Sequence, residues 1–172
     1  MNTKSKTYGA ATAVHADTHA QVLSLCDSCN IEDVLALTTT KQPGFSVAFT
    51  KYMSNRLKSL DFKQKKLLFR ERDFKNGQYR YDFFAHNGVG IQFSFGNRQV
   101  VARQLFMPTI ANASQVYRPI VTLGVILITF GEDVKSQCKV DNSIGTFDEY
   151  CNMAELGQSL FHCPVTIIGV GL

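Results

Sequence analysis

No stretch of this chain approaches the ~18 consecutive apolar residues of a membrane-spanning helix. The longest apolar run, residues 120–130, is β-rich and is broken by Thr122 and Gly124. The N-terminus carries Lys4 and Lys6 with no apolar core behind them, so no secretory signal is expected. A cytoplasmic protein is the default expectation. Charged residues are few, 19% against 45% hydrophobic, the balance of a soluble globular chain. There is no internal repeat, low-complexity tract or linker. The 172 residues suffice for one domain with a sizeable core and would crowd two.

Cysteine is equally short of partners. Five residues, Cys26, Cys29, Cys138, Cys151 and Cys163, are an odd number at wide spacing, which argues against a disulfide framework. Cys26 and Cys29 form one CxxC. A zinc site needs four ligands, and no second CxxC or HxxxH pair follows at finger spacing, although His15 and His19 lie four apart upstream. A redox role lacks the preceding strand. The remaining reading is small residues at a helix–helix junction.

What the chain does hold is local positive charge. The net charge is +4, and residues 51–75 carry nine Lys or Arg against Asp61, Glu71 and Asp73, an excess of +6. That segment reads either as a solvated face or as a stripe that tracks phosphates.

The pattern of elements is mixed. Residues 1–12 are polar and expected to fray. Residues 13–28 read as a helix, and Asn30 as the N-cap of another over 31–37, with Glu32 and Asp33 in its first turn. Phe45, Phe49, Tyr52, Met53, Leu57 and Leu60 keep a helical period opposite Lys51, Asn55, Lys58 and Ser59. Strands are expected over 66–74, 78–86 and 89–95, joined by Asn76-Gly77 and Asn87-Gly88, both strong hairpin turns. A helix over 98–114 is interrupted near Pro108. Residues 120–130 read as a central strand apolar on both faces. Thr146 and Glu149 form a capping box for a further helix, and 165–170 is a last buried strand. The sum is an α/β fold: a mixed sheet with helices on both faces.

The hairpin over 80–97 carries the chemistry. Phosphodiester hydrolysis needs a hard cation that polarises phosphate and acidifies water, held by oxygen ligands. Neighbouring strands present such ligands on one face. The positions here are Asp82, Gln92 and Ser94, with the Phe93 carbonyl between the last two. His86 shares a face with Asp82 by alternation and reads as a rim residue.

The segment resembles the PD-(D/E)xK restriction endonucleases, in particular their BglII/BstYI/BamHI-like group. Tyr81-Asp82-Phe83, then Gln92-Phe93-Ser94-Phe95-Gly96-Asn97, then a helix from Arg98 containing Gln104-Leu105-Phe106, carry the likeness. It continues through Leu123-Gly124-Val125-Ile126-Leu127, Cys163-Pro164-Val165 and Ile168-Gly169-Val170, and covers residues 45–172. Residues 1–44 form an N-terminal helical part outside it. The resemblance implies a restriction-endonuclease-like sheet, a homodimer on double-stranded DNA, and Mg²⁺ (or Mn²⁺) at each scissile phosphate of a short palindrome, often with a GATC core. It makes Asp82, Gln92 and the Phe93 carbonyl metal ligands and Ser94 the residue that orients water. Asn97 is implied to approach a base edge, where Asn pairs with adenine. Arg98, Arg103, Lys51 and Lys58 are the expected phosphate contacts.

The chain departs from that pattern in two places. Gln92 stands where an acid is usual and brings no charge, and Ser94 is a weak base. No acid lies between Lys41 and Leu60 to compensate; Glu71 and Asp73 are the nearest. Two DNA-linked readings follow, an endonuclease and a weakened or inactive DNA-binding protein on the same fold. A CxxC metal or redox protein is the third.

Overall fold

Residues 1–38, 44–67, 80–95, 97–113 and 123–172 are described by the computed structural model. The chain opens on a strand, β1 (Asn2–Tyr8), and not on a frayed segment. Tyr8 alone is buried along it, so no apolar period announces it; seven backbone partners in the C-terminal strand hold it. Helix α1 (Ala13–Asp27) starts where the Thr12 hydroxyl accepts the His15 N–H. Helix α2 (Ile31–Ala36) is capped by Asn30, whose side chain accepts the Glu32 N–H, as expected. Helix α3 (Gly44–Ser59) buries Phe45, Ala48, Phe49, Met53 and Leu57 as one stripe.

The antiparallel meander is present as β2 (Lys63–Leu67), β3 (Arg80–Phe84) and β4 (Val89–Phe93). The first of these starts three residues earlier than expected. The rest of the expected 66–74 strand, its Asn76-Gly77 turn, Glu71 and Asp73 lie outside the described residues. At the second turn Gly88 has φ +92°, a backbone that side chains disfavour. A 3₁₀ turn at Arg98–Val100 leads into α4 (Val101–Ala113). Pro108 sits inside this helix without ending it, contrary to the expected interruption. Burial of Val101, Leu105 and Pro108 itself outweighs the lost backbone bond.

All seven residues of β5 (Gly124–Phe130) are buried. A six-residue helix, α5 (Glu132–Gln137), which the sequence did not announce, follows. Helix α6 (Phe147–Leu156) starts with the expected Thr146–Glu149 capping box, and β6 (Val165–Gly171) closes the chain. The sheet runs β1-β6-β5-β4-β3-β2. Its centre, β4-β5-β6, is parallel, and the pairings outside it are antiparallel. One face packs α1, α2 and α3 on Ile91, Phe93, Ile126, Ile128, Phe130 and Ile168. The other packs α4 and α6 on Val125, Leu127, Val165 and Ile167. This is the mixed α/β sheet flanked on both faces.

Cys26 and Cys29 are buried near the α1–α2 junction, and every cysteine is a free thiol. Burial raises both thiols, Cys29 to about 11. Among the described residues no group of three His, Cys, Asp or Glu side chains could hold a metal. No described helix is long and apolar enough to cross a membrane.

Candidate active site

The site begins where two strands part. β3 and β4 pair at Phe84–Gly90 and Phe83–Ile91, and no further. The next step of that register sets Asp82 beside Gln92. There the Asp82 carboxylate takes the place of a backbone carbonyl: its Oδ2 accepts the Phe93 N–H at 2.8 Å. Regular alternation also breaks at this point. Tyr81 and Phe84 should face opposite sides, yet their rings lie 5.9 Å apart in the same core. Gly90 makes this possible, since a Cβ there would come within 2.5 Å of the Tyr81 ring. Such breaks re-aim a side chain, and they recur beside active sites.

β4 is held rigidly on its other side. Phe93 pairs with Ile128, and the Ser94 N–H is donated to the Ile128 carbonyl at 2.7 Å. The N–H and C=O of one extended residue point the same way. The Phe93 carbonyl therefore opens toward β3, into the gap that Asp82 enters. Below, Phe93 and Phe95 join Phe49 and Phe130; the Phe95 and Phe130 rings stack at 4.1 Å. The aromatic stack and the parallel pairing fix the strand end, so Gln92 and Ser94 face the α4–α6 side.

Asp82 and Gln92 are both partly buried. Burial raises the Asp82 carboxyl above its ordinary range, opposed by the Phe93 N–H and by Arg80. A group this reluctant to ionise gains most from a cation beside it. The donors here are a carboxylate, an amide oxygen and a backbone carbonyl, all hard oxygens, which fits Mg²⁺ with water and phosphate completing its shell.

Ser94 is placed differently. Its side chain is fully buried, and its Oγ has no hydrogen-bond partner among the described residues. The polar group close to it is the Tyr150 phenol of α6. That phenol donates to Gln104 Oε1 of α4. Neither Tyr150 nor Gln104 was singled out for a role from the sequence. A tyrosine on the apolar stripe of a capped helix carries no local signal of one.

The other predicted residues lie at several positions around the sheet. Asn97 is exposed and caps the 3₁₀ turn, its Oδ1 accepting the Gln99 N–H at 3.1 Å. Pairing with a base must share or replace that bond. Arg98 pairs with Glu149, Nε to Oε1 2.5 Å, on the surface. Arg103 is exposed on α4. Lys51 lines an open groove with Val47, Thr50 and Phe95, beside the strand end. Lys58 lies on the same exposed side of α3, about 10 Å further along the axis. His86 is exposed at the opposite end of β3, next to the turn.

A family model described as restriction endonuclease BglII/BglIII matches residues 3–170, so the likeness reaches into the N-terminal part. The crystal structure of restriction endonuclease BglII complexed with a DNA 16-mer superposes with TM-score 0.69 at 16% identity, over 100% of this chain and 77% of that one. Free BglII superposes with TM-score 0.54 at 17% identity, over 99% and 79%. No curated protein sequence matches the chain. At such identities the superpositions establish a shared fold.

Proposed function

The chain belongs to the BglII/BglIII restriction endonuclease family, and from that premise we propose that it cuts double-stranded DNA at a short palindrome, with a GATC core the first to test. The observation that carries this reading is the Asp82 carboxylate standing in for β3 backbone at the Phe93 N–H, in the gap between diverging strands.

Asp82, the Gln92 amide oxygen and the Phe93 carbonyl are the proposed ligands of Mg²⁺, which Mn²⁺ can replace. When bound, the ion supplies charge to the scissile phosphate and acidifies the attacking water. The chain's own groups do the rest. Asp82 provides the one negative charge. Gln92 orients an oxygen without adding charge, so affinity for the ion is lower than with two carboxylates. Water attacks phosphorus in line, the bond to the 3′ oxygen breaks, and the ends carry 5′-phosphate and 3′-hydroxyl. Ser94, closed off below, acts on this site through the strand that carries it.

Lys51, Lys58, Arg98 and Arg103 are proposed phosphate contacts, and Asn97 a base contact. Arg98 must leave Glu149 to serve, at small cost for an exposed pair. A palindrome calls for two copies of the site. A homodimer is supported by the exposed apolar residue Leu156 (85% exposed), which lines a groove with Val101 and Met153, and by Leu160 (57%), exposed four residues further on.

The test is incubation of unmethylated DNA rich in GATC-core sites with Mg²⁺ and with Mn²⁺. Discrete fragments with ligatable 5′-phosphate ends are expected. Retarded but intact DNA at every metal concentration overturns the proposal in favour of a binding protein.

A further inference from the structure

A buried hydroxyl without a partner is a cost that a close-packed core avoids. Ser94 carries one, two residues beyond Gln92 and directly after the Phe93 carbonyl. Alanine in its place would avoid that cost. The surroundings are polar in the same unexpected way. Tyr150 is fully buried, yet presents a phenol to Gln104, itself 9% exposed. Thr129 is fully buried on β5 and donates to the Gly145 carbonyl at 2.8 Å. Gly145 in turn leaves room for Tyr150, since a Cβ there would come within 3.0 Å of its ring. A polar seam thus runs from the end of β4 into α6 and α4, beside the buried apolar residues Val101, Leu105, Val125 and Leu127.

We propose that Tyr150 is a positioning residue for DNA cleavage: anchored on Gln104, its phenol takes the Ser94 hydroxyl as its second partner and so fixes the strand end that presents Gln92 and the Phe93 carbonyl. This rests on the endonuclease reading above. The polarity is set by the donors. Tyr150 gives its proton to Gln104 Oε1, which leaves its own oxygen to accept from Ser94. A small rotation of the serine side chain completes the chain Ser94 to Tyr150 to Gln104. Both side chains are closed off from solvent, so neither hydroxyl is placed to contact DNA or the attacking water. The effect is transmitted through β4, held on its other face by the Phe93–Phe95 stack.

The variants are Tyr150→Phe, which keeps the ring in the core, Ser94→Ala, and the double variant. In single-turnover cleavage each single variant slows the chemical step by about 10- to 100-fold, the range for a site displaced by part of an ångström. DNA affinity stays within about twofold of wild type. The double variant is no slower than either single one, because both remove the same link. Wild-type rates in Tyr150→Phe overturn the proposal, as do multiplying losses in the double variant. A second readout needs no activity. Amide exchange at Phe93 and Ser94 should accelerate in Tyr150→Phe while β1 and β6 amides stay unchanged. Should the wild type cut no DNA, the endonuclease reading fails, and unaltered exchange would then dispose of the positioning role as well.

Discussion

Replacing Asp82 with Asn keeps an acceptor for the Phe93 N–H and removes a buried charge. The sign of the stability change follows from the direction of the shift. The folded carboxyl titrates above its unfolded value of ~3.9, so the folded state holds more protons in the window between the two. Stability therefore falls as pH rises through that window and stays lowered at neutral pH. Asp82→Asn should melt higher than wild type at pH 7 without metal, and the gap should close in acid. The same variant should lose at least about 100-fold in cleavage, since even outer partners of metal ligands cost 10–100-fold. Gln92→Glu should shift half-maximal cleavage to lower Mg²⁺, which a metal titration reads directly. The juxtaposition of Asp82 and Gln92 was legible because the Asn87-Gly88 turn sets the two strands of the hairpin side by side. The burial of Ser94 was not, because α4 and α6, which cover it, are remote in sequence.

At the scale of elements, the legible parts are those with a period or a cap. Helix α3, the Asn30 cap, the Thr146 capping box and the apolar β5 all declare themselves locally. β1 does not, because its residues are polar and its stability comes from backbone pairing across the whole length of the chain. Phe49 is fully buried against Phe45, Phe95 and Phe130, and Phe49→Ala should cost about 3–5 kcal/mol in denaturant unfolding. Helix α1 seats His15 and His19 under burial that lowers both imidazoles. The unfolded chain then binds protons more readily, so stability present at neutral pH is lost as pH falls below about 6.5. Thermal unfolding of His15→Gln should show a smaller loss between pH 7 and pH 5 than wild type.

At the scale of the whole molecule, the cationic residues and the apolar α6 surface carry two proposed roles, DNA contact and dimerisation. Neutralising Lys51, Lys58, Arg98 and Arg103 together should flatten the salt dependence of DNA binding by the proposed dimer by about seven in log–log slope, four contacts from each protomer. An unchanged slope removes them from the interface. Leu156→Asp with Leu160→Asp should leave a monomer in sedimentation and abolish double-strand cutting, while unaltered mass assigns those residues to another surface. The surface proposed for dimerisation was not legible in sequence, since exposure at Leu156 depends on which helix face the sheet leaves uncovered.

The most direct test of the account is cleavage of unmethylated DNA by the wild-type chain beside Asp82→Asn, each with and without Mg²⁺. Discrete fragments that require the metal, absent with Asp82→Asn although DNA is still bound, are the predicted result. Fragments of equal yield from both proteins, or none from either, would contradict it.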